Sequence, residues 1–131
     1  MEREIVVNRV KCGYCGDILI SRHRHDFVMC SCEKTFTDGG DDYLHIGGDN
    51  YENLSLYSNS DFSEIREYLS RGGRGKDGKQ ELKYVPLKDM SNDWLENVIS
   101  YEEENRPNNK FLKYYYKEMG YRENNNIFIK D

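Results

Sequence analysis

The chain has 131 residues, 33% of them charged and 37% hydrophobic, with a net charge of −5 from 19 basic and 24 acidic side chains. That length suits one domain or two small lobes, no run reaches the length of a membrane span, and the acidic balance argues against nucleic-acid binding across a broad basic surface, leaving room for a local patch. Residues 1–11 lack an apolar segment followed by a small-residue cleavage site, so the expectation is a cytoplasmic protein with no signal peptide and no membrane anchor.

Residues 3–12 (REIVVNRVKC) form a β-branched run, residues 17–22 (DILISR) alternate, and DFVMCSC and KTFTDGG read as two further short strands separated by glycine turns. The first third is therefore predicted to be a small antiparallel β unit. Residues 42–57 carry alternating Leu54 and Leu56 but are interrupted by Gly47, Gly48 and two asparagines, a pattern for a loop with one weak strand. Residues 60–73 (SDFSEIREYLSRGG) place Asp61 three residues before Glu64 and space Phe62, Ile65, Tyr68 and Leu69 along one face, which predicts a short capped helix. RGGRGKDGKQ, residues 71–80, has four glycines and four basic residues and reads as a flexible linker or exposed loop.

Residues 81–87 (ELKYVPL) suit an edge strand ended by Pro86. Ser91 caps a stripe of Trp94, Leu95, Val98, Ile99 and Tyr101, and Pro107 opens a second stripe of Phe111, Leu112, Tyr115, Tyr116 and Met119 that Gly120 would stop. These two helices predict an antiparallel hairpin, and Ile127, Phe128 and Ile129 suit a last strand beside residues 81–87. The expected fold is α+β: a zinc-ribbon-like unit of short strands at 1–58, a helix and Gly/Arg-rich loop at 59–80, and a strand with a helical hairpin at 81–131.

All four cysteines lie within residues 11–32, as Cys12-Gly-Tyr-Cys15 and Cys30-Ser-Cys32. In a reducing compartment such a cluster points to a metal before two disulfides. Two cysteine turns at the ends of adjacent hairpins bring four thiolates tetrahedrally around Zn²⁺, and the glycines after Cys12 and Cys15 let the backbone tighten about it. The second turn is one residue shorter than usual. His23 and His25, between the pairs, leave a site of three cysteines and one histidine as the alternative. A closed thiolate shell has no open position for water, so the metal is expected to be structural.

The stretch KCGYCGDILISRHRHDFVMCSCEKTFTDGGDDYLHIGG, residues 11–48, resembles a small, uncharacterised zinc-ribbon family of bacteriophages and their hosts. The resemblance implies Cys12, Cys15, Cys30 and Cys32 as metal ligands and brings no enzymatic activity. The family pattern has glycine after the last cysteine where this chain has Glu33, a departure that would loosen that turn. Residues 84–122 are similar, more loosely, to helical hairpins of short phage reading frames.

Rival chemistry is weaker. HRHD with GGDNYENLSL suggests an HNH-type nuclease, with His25 as general base, Asn53 as positioning residue and Asn59 as a distant metal candidate; but both cysteine pairs precede the NL segment, and the only histidine after HRHD is His45. Asp38, Asp41, Asp42 and Asp49 form an acidic cluster without EF-hand spacing, SYEEENR reads as a solvated helix face, and RGGRGK is a candidate phosphate contact. The expectation is a non-enzymatic phage accessory protein that binds a host protein through Trp94, Tyr101, Tyr114, Tyr115 and Tyr116, and inhibits or modulates it. A nucleic-acid-binding zinc ribbon and a homo-oligomer are the alternatives.

Overall fold

The computed structural model describes residues 4–131, so the Arg3 start expected for the first strand lies outside the described residues. The fold is mixed α+β, with short antiparallel strands in the N-terminal part and helices in the C-terminal part. The chain divides into two compact units that meet between Ile65 and Arg66.

In the first unit the β-branched run becomes the long strand β1 (Ile5–Cys12), which alternation in Ile18–Ser21 (β2) matches in an antiparallel pair. On its other side β1 pairs with β6 (Tyr51–Asn53) and, past a register shift, with β7 (Leu56–Tyr57). A second sheet has the order β3 (Val28–Met29), β4 (Phe36–Asp38), β5 (His45–Gly47). The segment 42–57 thus forms three short strands where one was expected. Glycine is what permits the first of them: a Cβ at Gly47 would lie 1.8 Å from Cε1 of Phe36, whose ring covers that backbone.

Buried Asn8 in β1 ties the sheets together. Its amide donates to the carbonyls of Asp38 and Gly40 at 3.0 Å, and its oxygen accepts from the Thr37 hydroxyl. A short polar side chain inside a β-branched run is the price of holding the 38–43 loop. Cys12, Leu19 and Cys30, with Val28 and Cys32 packed against them, form a core cluster at the end of this unit.

The helix α1 (Phe62–Tyr68) is capped as its sequence predicts, Asp61 accepting from the Ser63 amide at 2.9 Å. The expected loop over 71–80 is corrected at its start, because Ser70–Gly73 forms strand β8, paired with β9 (Lys83–Pro86). Ser91 caps α2 (Asn92–Asn105) through the Trp94 amide at 3.1 Å.

The second helix of the hairpin, α3, runs Leu112–Asn124, so neither its expected start nor its stop holds. Pro107 lies in the preceding turn, where the Asn109 side chain accepts from the Phe111 amide at 2.9 Å. Gly120 is inside the helix, and the stop is made by Asn126 at φ 55°, with the Ile127 amide reaching back to the Arg122 carbonyl at 2.9 Å. Asparagine tolerates this left-handed position, so it closes the helix as glycine usually does. The tail adds no strand to β9. Instead Ile129 exchanges two hydrogen bonds with Asn92 at the start of α2.

Two glutamates are fully buried in this unit. Glu118 accepts from Arg66 and from Arg122, which also donates to Asn92 and the Leu87 carbonyl. Glu102 accepts from Arg71, Arg106 and Asn109. The solvated face expected for SYEEENR is therefore wrong at Glu102.

Candidate metal centre

Both cysteine turns are built alike. In the first, the Cys12 amide donates to the Asp17 carbonyl and the Gly16 amide returns to the Cys12 carbonyl, each at 3.0 Å. In the second, the Cys30 amide donates to Thr35 and the Glu33 amide returns to Cys30, again at 3.0 Å. The residue after each second cysteine is left-handed: Gly16 at φ 77° and Glu33 at φ 64°. The missing glycine noted in the sequence is thus a backbone position that glycine would occupy without strain.

β1 delivers Cys12 at its end, and the turn before β4 delivers Cys30 and Cys32. The four Sγ atoms of Cys12, Cys15, Cys30 and Cys32 all lie within 4.8 Å of one another. Cys12 and Cys32 are 3.6 Å apart and Cys30 and Cys32 3.5 Å. A disulfide needs about 2.05 Å, and all four thiols are free. Tetrahedral zinc at about 2.3 Å from each sulfur would set the sulfurs about 3.8 Å apart. The set therefore fits a four-coordinate thiophilic ion and fits no disulfide pair.

Neighbouring groups complete the donor set. The Thr35 hydroxyl, itself buried, donates to Cys12 Sγ at 3.2 Å and the Tyr14 amide does so at 3.4 Å. The Thr35 hydroxyl bond, then the backbone bond from Cys15, lower the Cys12 thiol to about 6 against the opposing effect of burial. Burial opposes ionisation of Cys30 too, but backbone and thiol hydrogen bonds from Thr35 and Cys32 hold it below the ordinary thiol value. At Cys32 the Lys34 amide bond favours the thiolate, yet burial and the three neighbouring thiols outweigh it and push the group up to about 12. Such a cluster ionises unevenly, and full metal binding displaces its remaining protons.

Asp17 links the turns: its carboxylate accepts from the Ser31 amide at 2.8 Å, and that bond, with the Ser31 hydroxyl, lowers its pKa. The Lys34 ammonium lies 4.3 Å from the centre of the Tyr14 ring, whose hydroxyl donates to Asp49. Thr35 and Asp17 are hydrogen-bonding neighbours of the cysteine turns that cysteine spacing alone did not reveal, although Asp17 stands within the CGD run.

His23 and His25 are exposed in a turn outside the thiol group. His25 sits at φ 65° with Nδ1 3.4 Å from the Tyr43 hydroxyl. Asn53 holds the Ser55 amide and donates to Tyr57, and Asn59 lies in an exposed turn. Asp38, Asp41, Asp42 and Asp49 form no second group of ligands: among the described residues the four cysteines are the one such set.

Of the aromatic residues expected to face a partner, Tyr101 and Tyr116 are exposed and Trp94 is half-buried. Tyr114 and Tyr115 are only 2% and 4% exposed, a correction to their expected role. Position 115 falls on the helix face that also bears Glu118 and Arg122, and 114 is adjacent to it, so the triplet divides between core and solvent.

A family model described as a domain of unknown function (DUF7695) matches residues 4–48, the stretch holding both cysteine turns. The chain is similar to that family over about the first third of its length. No curated protein and no solved structure matches the chain. Among the described residues no helix is long and apolar enough to cross a membrane. The four clustered thiols are compatible with a zinc-binding protein.

Proposed function

We propose that this chain is a non-enzymatic binding protein whose N-terminal unit is held by one structural Zn²⁺ on Cys12, Cys15, Cys30 and Cys32. The observation that carries this reading is the approach of all four Sγ atoms to within 4.8 Å of one another. When bound, the ion supplies a cross-link between two β-turns and leaves no position open for a reacting water. Thr35 and the backbone amides orient the thiolates, as outer-shell groups do in zinc sites.

The partner is a protein. Tyr14, Ile18, Phe27, Met29 and Tyr51 are all exposed large hydrophobics, and all belong to the unit that holds the thiols. Exposed aromatic and methionine side chains of this kind are enriched where proteins meet. The proposed partner is a host protein and the proposed effect its inhibition or modulation, as in an anti-defence factor, a reading supported by the resemblance of residues 11–48 to phage sequences. Native mass spectrometry of the purified chain is expected to find one zinc. Affinity capture from host cells is expected to recover one protein in stoichiometric amount, lost with Ile18→Ser/Met29→Ser while the zinc is retained. A folded chain without metal overturns the first part, and equal recovery by that variant overturns the second.

A further inference from the structure

The 66–131 unit contains a cleft of about 550 Å³, inside the size range of small-molecule sites. One wall is the β8–β9 hairpin and the segment joining its strands, which includes the basic RGGRGK run. The other is the first turns of α2, with Trp94 and Asn97. A Cβ on Gly73 would lie 3.0 Å from Cζ2 of Trp94, so the six-membered ring of the indole rests on bare strand backbone. That contact fixes the ring while leaving it partly exposed, a state in which an indole can serve as a stacking platform.

Arg74, Lys76 and Lys83 line the same cleft. Lys76 pairs with Asp131 at 3.2 Å, whereas among the described residues Arg74 and Lys83 have no ion-pair partner. Three carboxylates, Glu81, Asp93 and Asp131, also line it. The balance disfavours a polyphosphate and suits a ligand with a single phosphate and hydrogen-bond donors elsewhere. A planar base matches the rest: it stacks on an indole whatever its identity, and carboxylates and side-chain amides receive its amino edge.

We propose that this cleft binds a nucleoside monophosphate, free or as one residue of a single strand, with the base stacked on Trp94 and the phosphate held by Arg74 and Lys83. The site lies wholly within the 66–131 unit and does not depend on the reading of the thiol cluster.

Trp94 is the sole tryptophan of the chain, so its fluorescence reports this cleft alone. The purified full chain is titrated with each of the four common nucleoside 5′-monophosphates, with a mixed-sequence single-stranded pentanucleotide and with inorganic phosphate. Saturable quenching by nucleotides is expected, weakened about tenfold by Lys83→Ala or Arg74→Ala, the size of one lost charge-assisted contact, and unchanged by Lys117→Ala. Pentanucleotide binding tenfold tighter than that of any monophosphate identifies the source as a strand, and equal or weaker binding identifies it as the free nucleotide. Absence of saturable quenching up to millimolar nucleotide, equal quenching by inorganic phosphate, or binding indifferent to Arg74 and Lys83 overturns the proposal.

Discussion

Glu33 stands at φ 64°, where its counterpart in the first turn is Gly16 at φ 77°. A left-handed L-residue costs about 1–2 kcal/mol, partly offset because glycine loses more freedom on folding. Glu33→Gly should therefore raise stability by about 1 kcal/mol, while Glu33→Ala, which keeps the strained backbone, should give no such gain; chemical denaturation of the two variants separates backbone strain from charge. Thr35 offers a second test. Thr35→Val keeps the shape of a buried side chain but removes the 3.2 Å hydrogen bond to Cys12, so zinc affinity should fall about tenfold or more in competition with a chromophoric chelator. At this scale the cysteine cluster was legible because C-x2-C and C-x-C are local spacings. Thr35 was not, since what makes it matter is contact with a residue 23 positions earlier.

The helices bury charges at positions outside the apolar stripes read from the sequence. Glu102 and Glu118 are fully buried, each with an arginine four residues on and a second arginine from the region of α1 or β8. Removing one partner of a buried pair leaves the other unsatisfied at a cost of about 3–5 kcal/mol, so Glu118→Ala should unfold or nearly unfold the 66–131 unit in denaturant titration, whereas Glu103→Ala, on an exposed neighbour, should be nearly silent. Burial alone would raise the Glu102 pKa, but hydrogen bonds from Asn109, Arg106 and Arg71 outweigh it and hold the carboxyl below its ordinary value. A carboxyl depressed in the folded state contributes stability that is fully present above its unfolded value of about 4.3 and is lost as the pH falls through the lowered one. The contribution of Glu102 should thus be level above about pH 5 and decline in acid, and Glu102→Gln, measured across that range by the unfolding of the 66–131 unit, should flatten that part. The Ser91 and Asp61 caps were readable because a cap acts over three residues. The i, i+4 spacing of Glu102 with Arg106 was readable too, but it is the same on a solvated face. Arg71, 31 residues away, and Asn109 complete the bonding of Glu102 in the core.

At the level of the whole chain, the two units draw on different sources of order. The 4–65 part has strands of two to four residues apart from β1 and a core cluster that includes Cys12 and Cys30. The 66–131 part has two long helices and its own buried ion pairs. Structural zinc contributes about 10–16 kcal/mol in peptides at neutral pH, as much as or more than the 5–15 kcal/mol net stability of a typical domain. The α+β class was visible from composition and periodicity, and a lean core in need of a staple was too; the structure adds that Cys12 and Cys30 lie in the core cluster, which supports the proposed dependence on metal. Chelation at neutral pH, or Cys30→Ser, should therefore collapse amide dispersion for residues 5–57 while the resonances of 92–124 persist, with most of the helical circular dichroism retained. Loss of both sets together would mean that the helical unit cannot stand without the metal, and retention of both would mean that the thiols are not a staple.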